Sequence, residues 1–399
     1  MDVLIVGAGI AGSAAAYWLR RAGHRTTLVE HAPELRRGGY LIDFWGAGFE
    51  VAERMGIVPE LIRRGVSIQR ADQVDARGRR FASIDPKGFV RGSEDRYVSI
   101  ARGDLAATLF GALAQELPGE PTELLLGETV RAITEDGDRV RVELTGGLHR
   151  DVDLVVGADG VHSRVRELVF GPEEDFATAL GIAVAAYELA EDAAGAVAAS
   201  VPVATMYAEA GLQASRVTRP GGPTMVLLTF RHQGPLPTAR DEQEAFLAQR
   251  LAGAGWEVPA LLEALPSAPA LYLDAASQIR MPSWSRGRVA LVGDAAACVS
   301  LLAGQGSALA LVEAYVLAAE LDRCGDHRDA FAAYRQRLDR LLRGKQAAAT
   351  GLGLVFAPRD RWQVVLRAAL LWAVGLPFVD RFAYRSLRDA VELPAPAGG

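Results

Sequence analysis

The sequence predicts an α/β chain, α+β overall, in which a discontinuous parallel-sheet domain is interrupted by a second, mixed β-sheet and closed by a C-terminal helical segment. Three observations carry this reading. A buried strand, a Gly-rich turn and a helix open the chain at "VLIVGAGIAGSAAA", with a second strand, "RTTLVE", behind them. Two later buried strands, in "DLVVGADG" and "RVALVGDAA", each run into a turn that carries one carboxylate. Between those two strands, residues 177–231 change texture to β-like segments with a Gly/Pro turn. Strand–helix–strand units need parallel neighbours joined by helical crossovers, so the first domain is Rossmann-like.

Composition bounds the function. A chain of 399 residues implies two or three domains, or one large domain with an insertion. Half the residues are hydrophobic and 23% are charged, enough for a sizeable core. Lys and Arg number 43 against 49 Asp and Glu, a formal charge of −6. That balance lacks the basic surplus that nucleic acid requires. The two cysteines, Cys298 and Cys324, allow neither a disulfide framework nor zinc-ligand spacing, which fits a cytoplasmic protein. The apolar start has no basic n-region and reads as a strand and a turn, not as a signal peptide. The one membrane candidate is "WQVVLRAALLWAVGLPF" (362–378). Its uncharged run is shorter than the roughly 20 residues of a span, so a buried or lid helix is expected and no integral membrane segment.

In order, the first helix is expected over 11–22 and ends at Gly23. Residues 66–85 read as a hairpin of the inserted sheet, and 102–117 as an amphipathic helix. "TVRAITEDGDRVRVELTGG" alternates on both sides of a turn, a hairpin. "ALGIAVAAYELA", "ATMYAEA", "LQASRVTR" and "TMVLLTFRH" are expected strands, and "DEQEAFLAQRLAGAG" a helix. The expected domains are 1–65, 96–175 and 271–345 for nucleotide binding, 66–95 and 176–270 for the substrate sheet, and 346–399 for the C-terminal helix and tail.

Three motifs carry the chemistry. Gly7, Gly9, Ala11 and Gly12 form a turn that lets backbone approach a pyrophosphate at a helix N-terminus. Glu30, 18 residues after Gly12, ends the second strand where it can accept from ribose hydroxyls. A carboxylate there repels a 2′-phosphate, so the dinucleotide is FAD or NAD, not NADP. Asp159 and Gly160 follow a buried strand; alone, Asp159 could equally cap the helix that starts near Ser163. Asp294 follows another, ahead of Gly304, Gln305, Gly306 and a long apolar helix; alone, this too could be a capping Asp and a Gly turn.

Taken in this order, with a β insertion between the last two, the motifs resemble the single-component FAD-dependent aromatic hydroxylases. These are the class A flavoprotein monooxygenases of the para-hydroxybenzoate hydroxylase family. The resemblance spans roughly residues 1–342. The stretch "GGYLIDFWGAGFEVAERMGI" is similar to the branch holding tetracycline-inactivating and natural-product tailoring monooxygenases. It implies that Gly7, Gly9, Gly12 and Glu30 bind the ADP half of a tightly held, non-covalent FAD. Asp159 and Gly160 would serve FAD and NAD(P)H, Asp294 the ribityl chain, and Arg102 another part of the cofactor. The helix after Gly304-Gln305-Gly306 would point at the pyrimidine edge, where reduced flavin carries negative charge.

The implied activity is NAD(P)H-consuming monooxygenation. One oxygen atom from O2 would enter an apolar aromatic or polyketide-like molecule through a flavin C4a-hydroperoxide, in secondary metabolism or antibiotic modification. NAD(P)H would dock transiently, since no second GxGxxG is present. No metal is implied, and a monomer or homodimer is expected. No catalytic base stands out, and the six histidines read mostly as surface or loop residues. Pocket candidates are Asp43 and Trp45 in "LIDFWG", read as a loop near the ring, Arg231 in the inserted sheet, and Leu301. Asp43 could also be a turn or capping residue. Family members commonly carry His and Pro where this chain has Ala297 and Leu301. That departure motivates an alternative, a non-redox cyclase holding FAD as a structural element.

Overall fold

The computed structural model describes residues 1–35, 40–84, 96–115, 117–190, 201–219, 221–374 and 392–395. Gly38 and Gly39 of the branch-like stretch, the chain beyond residue 374 in the apolar C-terminal stretch, and most of the Pro/Ala-rich tail lie outside the described residues. The chain begins with β1 (Asp2–Val6), α1 (Ile10–Arg21) and β2 (Arg25–Glu30), then β3 (Leu41–Trp45), α2 (Ala47–Arg54) and α3 (Val58–Arg64). Next come β4 (Arg70–Val74), β5 (Arg80–Ile84), β6 (Tyr97–Ala101), α4 (Arg102–Ala112) and β7 (Glu123–Leu126). They are followed by β8 (Val130–Asp136), β9 (Arg139–Leu144), β10 (His149–Val152), β11 (Leu154–Gly157) and α5 (Arg164–Val169). The middle of the chain forms β12 (Ala177–Leu189), β13 (Val203–Glu209), β14 (Leu212–Thr218) and β15 (Thr224–Arg231). After them run α6 (Arg240–Arg250), α7 (Val258–Ala264) and β16 (Leu271–Ile279). The last elements are β17 (Ser285–Arg286), β18 (Val289–Leu291), α8 (Asp294–Ala297), α9 (Gly306–Cys324), α10 (His327–Ala349), α11 (Gly353–Phe356) and α12 (Arg361–Val374).

Among the described residues, one sheet has the order β17-β18-β11-β1-β2-β7. All its pairs are parallel except β17–β18. Val3–Val6 and Leu154–Val156 are buried, the run expected of parallel strands covered on both faces. Helix α1 covers one face and packs on α9, where the Trp18 and Tyr315 rings meet edge to face at 4.7 Å.

The larger sheet has the order β16-β12-β15-β14-β13-β4-β5. Residues alternate between its faces with period two. Ala183, Ala185, Tyr187, Leu228 and Phe230 pack against α6 and α7. Ile182 and Val184 instead join Leu301, Leu302, Phe356 and Ala357, which belong to the other domain and to the C-terminal segment. The middle of β12 therefore has apolar partners on both faces.

Several local readings differ from the structure. Asp43 lies within strand β3, paired with β6, and not on a loop. The pairing partner is some fifty residues away in sequence, so the local pattern does not expose it. Helix α4 stops at Ala112 instead of continuing to residue 117. There the buried Arg20 guanidinium donates to the carbonyls of the C-cap Leu113 (2.8 Å) and of Leu117 beyond it (3.2 Å). Strand β16, placed at 271 within the first domain by sequence, pairs with β12 and belongs to the larger sheet. The boundary expected after residue 345 falls inside the continuous helix α10.

The C-terminal segment crosses the inner face of the larger sheet. Arg367 of α12 is 3% exposed and donates to Gln73 Oε1 (3.1 Å), Gln213 Oε1 (2.6 Å) and the Val355 carbonyl (2.7 Å). Burial pulls its guanidinium down to about 10. These bonds fix α12 over β4 and β14. Among the described residues, no helix is long and apolar enough to cross a membrane.

Candidate cofactor site

Three turns at the carboxyl ends of β1, β11 and β18 converge, the position where open α/β sheets bind ligands. At the first, Gly7 adopts φ +100° and donates to the Val29 carbonyl at 2.7 Å. A Cβ on Gly7 would lie 2.6 Å from the Ala158 carbonyl oxygen, and one on Gly12 only 1.8 Å from that of Gly7. Both positions exclude any side chain. Gly9 is different, because nothing lies within 4 Å of a Cβ built there. No side chain caps α1. An open cradle above an uncapped helix start fits a pyrophosphate. Ala11 lies in the first turn of α1 and is buried. Glu30 holds the turn from the side: Oε2 accepts from Ala8 N at 2.9 Å and Oε1 from Ala32 N at 3.0 Å.

At the second turn, Asp159 does act as a helix-start acceptor. It takes Val165 N at 3.0 Å and the Ser163 hydroxyl, while Ser163 itself caps α5 through Arg166 N at 3.0 Å. Burial raises the Asp159 carboxyl above its ordinary range. Arg166, fully buried, spans from this turn to the third. It donates to Val161 O (2.6 Å), Glu173 Oε2 (2.7 Å) and Ala295 O (3.3 Å).

At the third turn, Gly293 and not Asp294 is the N-cap of α8. Gly293 N donates to Glu313 Oε2 at 2.7 Å, and the Tyr334 hydroxyl lies 3.2 Å from the same oxygen. Glu313 is 1% exposed, and burial drives its carboxyl well above the usual range. Asp294 is thereby left facing α9: a Cβ on Gly306 would sit 3.5 Å from its Oδ1. Gly304 and Gln305 lead into that helix start, which no side chain caps.

The stretch from Ala297 to Leu301 is poor in functional side chains, but its backbone is well anchored. The Cys298 carbonyl accepts from Ile279 N (3.1 Å) and Gln346 Nε2 (3.2 Å), and the Val299 carbonyl from Gln278 Nε2 (2.8 Å). Ser300 holds φ +133°, a conformation costing on the order of 1–3 kcal/mol for a non-glycine residue. Its hydroxyl accepts from Leu302 N at 3.2 Å. Leu301 packs into the apolar cluster on the inner sheet face, and Leu302 lines the adjoining cavity of about 230 Å³ with Leu180, Ile182 and Arg231.

Arg102 opens α4, its backbone N–H bonded to the Tyr40 carbonyl at 3.0 Å. The Tyr40 phenol is pushed up to about 12, chiefly by burial, with Arg102 opposing and Asp294 reinforcing the shift. Arg102 and Asp294 thus act on one group. Tyr40 packs on Tyr272 (5.5 Å between centroids), whose hydroxyl donates to Asp274 Oδ2 at 3.2 Å. His162 Nε2 lies 3.4 Å from the same oxygen, and its Nδ1 3.0 Å from Glu173 Oε1. The bond to Asp274 raises the His162 imidazole to about 9. This chain of groups, like Arg166, Glu313 and Tyr334, was not legible from motifs. One signal did exist for Glu313, a carboxylate inside the apolar run "ALALVEAYVLAA". Asp43 Oδ1 accepts from Tyr97 (2.6 Å) and Ser99 (2.5 Å), and Trp45 sits under Lys345 at 5.9 Å. Neither lines the cavities beside Arg231.

A family model described as an FAD binding domain matches residues 1–324. A flavin-dependent monooxygenase of Legionella longbeachae is 32% identical over 365 residues, covering 90% of each chain. The FAD-dependent monooxygenase asL4 of Sarocladium schorii is 31% identical over 429 residues, covering 98% of this chain and 96% of its own. The crystal structure of tetracycline destructase Tet(51) matches with a TM-score of 0.80 at 29% identity over 99% of both chains. The chain belongs to the FAD-binding-domain family and is, with these relatives, an FAD-dependent monooxygenase.

Two predictions follow from the turns. Gly9→Ala meets no protein atom, so the melting temperature of the flavin-free protein stays unchanged while FAD affinity falls roughly tenfold. Calorimetry and FAD titration check both; undiminished affinity removes the phosphate from Gly9. Glu313 has a folded-state pKa raised above its unfolded value of 4.5. Its contribution to stability is complete below that value and declines as pH rises toward the folded pKa, by up to about 1.4 kcal/mol per pH unit. Urea unfolding of Glu313→Gln across pH is expected to lack this decline above pH 4.5.

Proposed function

We propose that the protein is an NAD(P)H-consuming monooxygenase that inserts one oxygen atom from O2 into an apolar aromatic or polyketide-like small molecule. The observation that supports this most is the position of the inner cavity. Its apolar wall of Leu180, Ile182 and Leu302 lies between the inner sheet face and the turn that leads into α9. A hydrocarbon there would be next to the helix start assigned to the flavin ring. The relative named for tetracycline destruction supports a polycyclic ligand.

In this reading Gly7, Gly9, Ala11, Gly12 and Glu30 hold the ADP half of FAD. Arg102 and Asp294 hold its middle. Asp159 and Gly160 brace the turn between them, and Gly304, Gln305 and Gly306 meet the ring. When bound, the flavin supplies hydride acceptance and oxygen activation. The N-terminus of α9 stabilises negative charge on the ring edge without reorganising. The apolar walls exclude water, which protects reactive species from hydrolysis. Pocket candidates Arg231 and Leu301 act on the substrate side, while Asp43 and Trp45 shape the β3–β6 pair behind Tyr40. Two free thiols, Cys298 and Cys324, suit a cytoplasmic enzyme.

The test is anaerobic mixing of FAD-loaded protein with NADH or NADPH, followed at the flavin band, and then admission of air with polycyclic aromatic candidates. Bleaching of the flavin, followed by a product one oxygen atom heavier, is expected. Substrate conversion with no flavin reduction under any condition overturns the reading in favour of a non-redox enzyme.

A further inference from the structure

The turn between α8 and α9 is gripped by two buried glutamines, and neither belongs to a motif. Gln278 of β16 is 0% exposed and Gln346 of α10 is 6% exposed. Gln346 Nε2 donates to the carbonyls of Ile279 (2.7 Å) and Cys298 (3.2 Å). Gln278 Nε2 donates to the carbonyls of Val299 (2.8 Å) and Gln346 (2.7 Å). The Cys298 carbonyl also accepts from Ile279 N at 3.1 Å. Two consecutive carbonyls of the turn are thus held by side chains from two distant elements. The direction of both amides is fixed by chemistry, because a carbonyl only accepts and a guanidinium only donates. Gln278 Oε1 accepts from Arg280 Nε (3.1 Å) and Nη2 (2.7 Å), which leaves its nitrogen for Val299 and Gln346.

On the far side of the turn this grip leaves a donor unused. A trans peptide is planar, with its C=O and N–H pointing in opposite directions. Turning the Cys298 carbonyl toward Gln346 therefore turns the Val299 N–H away from it. Val299 is 1% exposed, and its N–H has no hydrogen-bond partner among the described residues. Buried backbone donors are rarely left so, and an orphan N–H marks a place for an acceptor that the chain does not supply. The next residue, Ser300, holds φ +133°, so the grip also keeps the turn in a conformation from which a non-glycine residue would relax. One helical turn beyond Gln346, Ala349 and Thr350 line the inner cavity.

We propose that Gln278 and Gln346 are positioning residues that hold the Val299 N–H as a hydrogen-bond donor to the bound flavin ring. This rests on the proposed function for its placement of the ring at the start of α9. Each glutamine acts through the backbone that it holds. An oriented N–H in a site without water stabilises the charge that develops on reduction, so the grip favours the reduced, negatively charged flavin over the oxidised one.

The test is the midpoint potential of the FAD-loaded protein, poised with dithionite and a mediating dye, with no nicotinamide or substrate present. Gln346→Met is expected to lower it. A tenfold loss of preference for reduced flavin is about 30 mV for a two-electron couple, and a shift of that order is expected. Arg280→Met, at an exposed side chain that orients the Gln278 amide, is expected to shift it in the same direction by less. Gln73→Met breaks a buried bond to Arg367 elsewhere, and is expected to lower the melting temperature and leave the potential unchanged. An unchanged potential in Gln346→Met overturns the proposal, or in Arg280→Met should the former not fold. An equal shift in Gln73→Met also overturns it, since the glutamines would then act only on stability. Flavin reduction by NADH or NADPH is measured separately, and its failure counts against the proposed function without altering the potentials.

Discussion

The constraint on which the structure most depends is the contact between the turn after β1 and the first turn of α1. Gly12 lies against the Gly7 carbonyl, and Gly7 lies against the backbone of Ala158 and Asp159. No side chain fits at either glycine, so β1, α1 and the end of β11 lock at a fixed spacing. That spacing sets where the uncapped start of α1 points and brings the Asp159 turn beside it. The two other turns inherit this frame through long-range bonds. Arg166 ties the second turn to the third, and Glu313 ties the third to α9 and α10.

The interior uses polar groups sparingly but at decisive points. Glu313 is a buried hydrogen-bonding post under Gly293, and burial pushes its carboxyl well above the usual range. Arg367 spends its guanidinium on two glutamine oxygens and a carbonyl, and so stitches the C-terminal helix across the inserted sheet. The result is a ligand space whose walls come from three parts of the chain: the turn before α9, the sheet, and the segment after α10.

Much of the candidate cofactor site was legible because it is local in sequence. Gly7, Gly9, Gly12 and Glu30 fall within one strand–helix–strand unit, and Asp159 and Asp294 each sit one turn beyond a buried strand. What escaped was non-local. Asp43 reads as a loop residue because its strand partner, Ser99, is far along the chain. Tyr272, Asp274 and His162 form a connected chain only once β16 has crossed to β12. At Ala297 and Leu301 the chain departs from the His and Pro that family members commonly carry, which in side-chain terms favours the non-redox alternative. The content of that stretch lies in backbone carbonyls held by Gln278 and Gln346 and in the strained Ser300, none of which a motif can display.

The proposed cofactor site requires that the three turns form one cradle. Hydrogen exchange of the flavin-stripped protein, with and without added FAD, measures this directly. FAD is expected to protect the backbone amides of residues 7–12, 159–163 and 293–307 together, at the same FAD concentration. Protection confined to the first turn, with the turn before α9 exchanging as before, would contradict it.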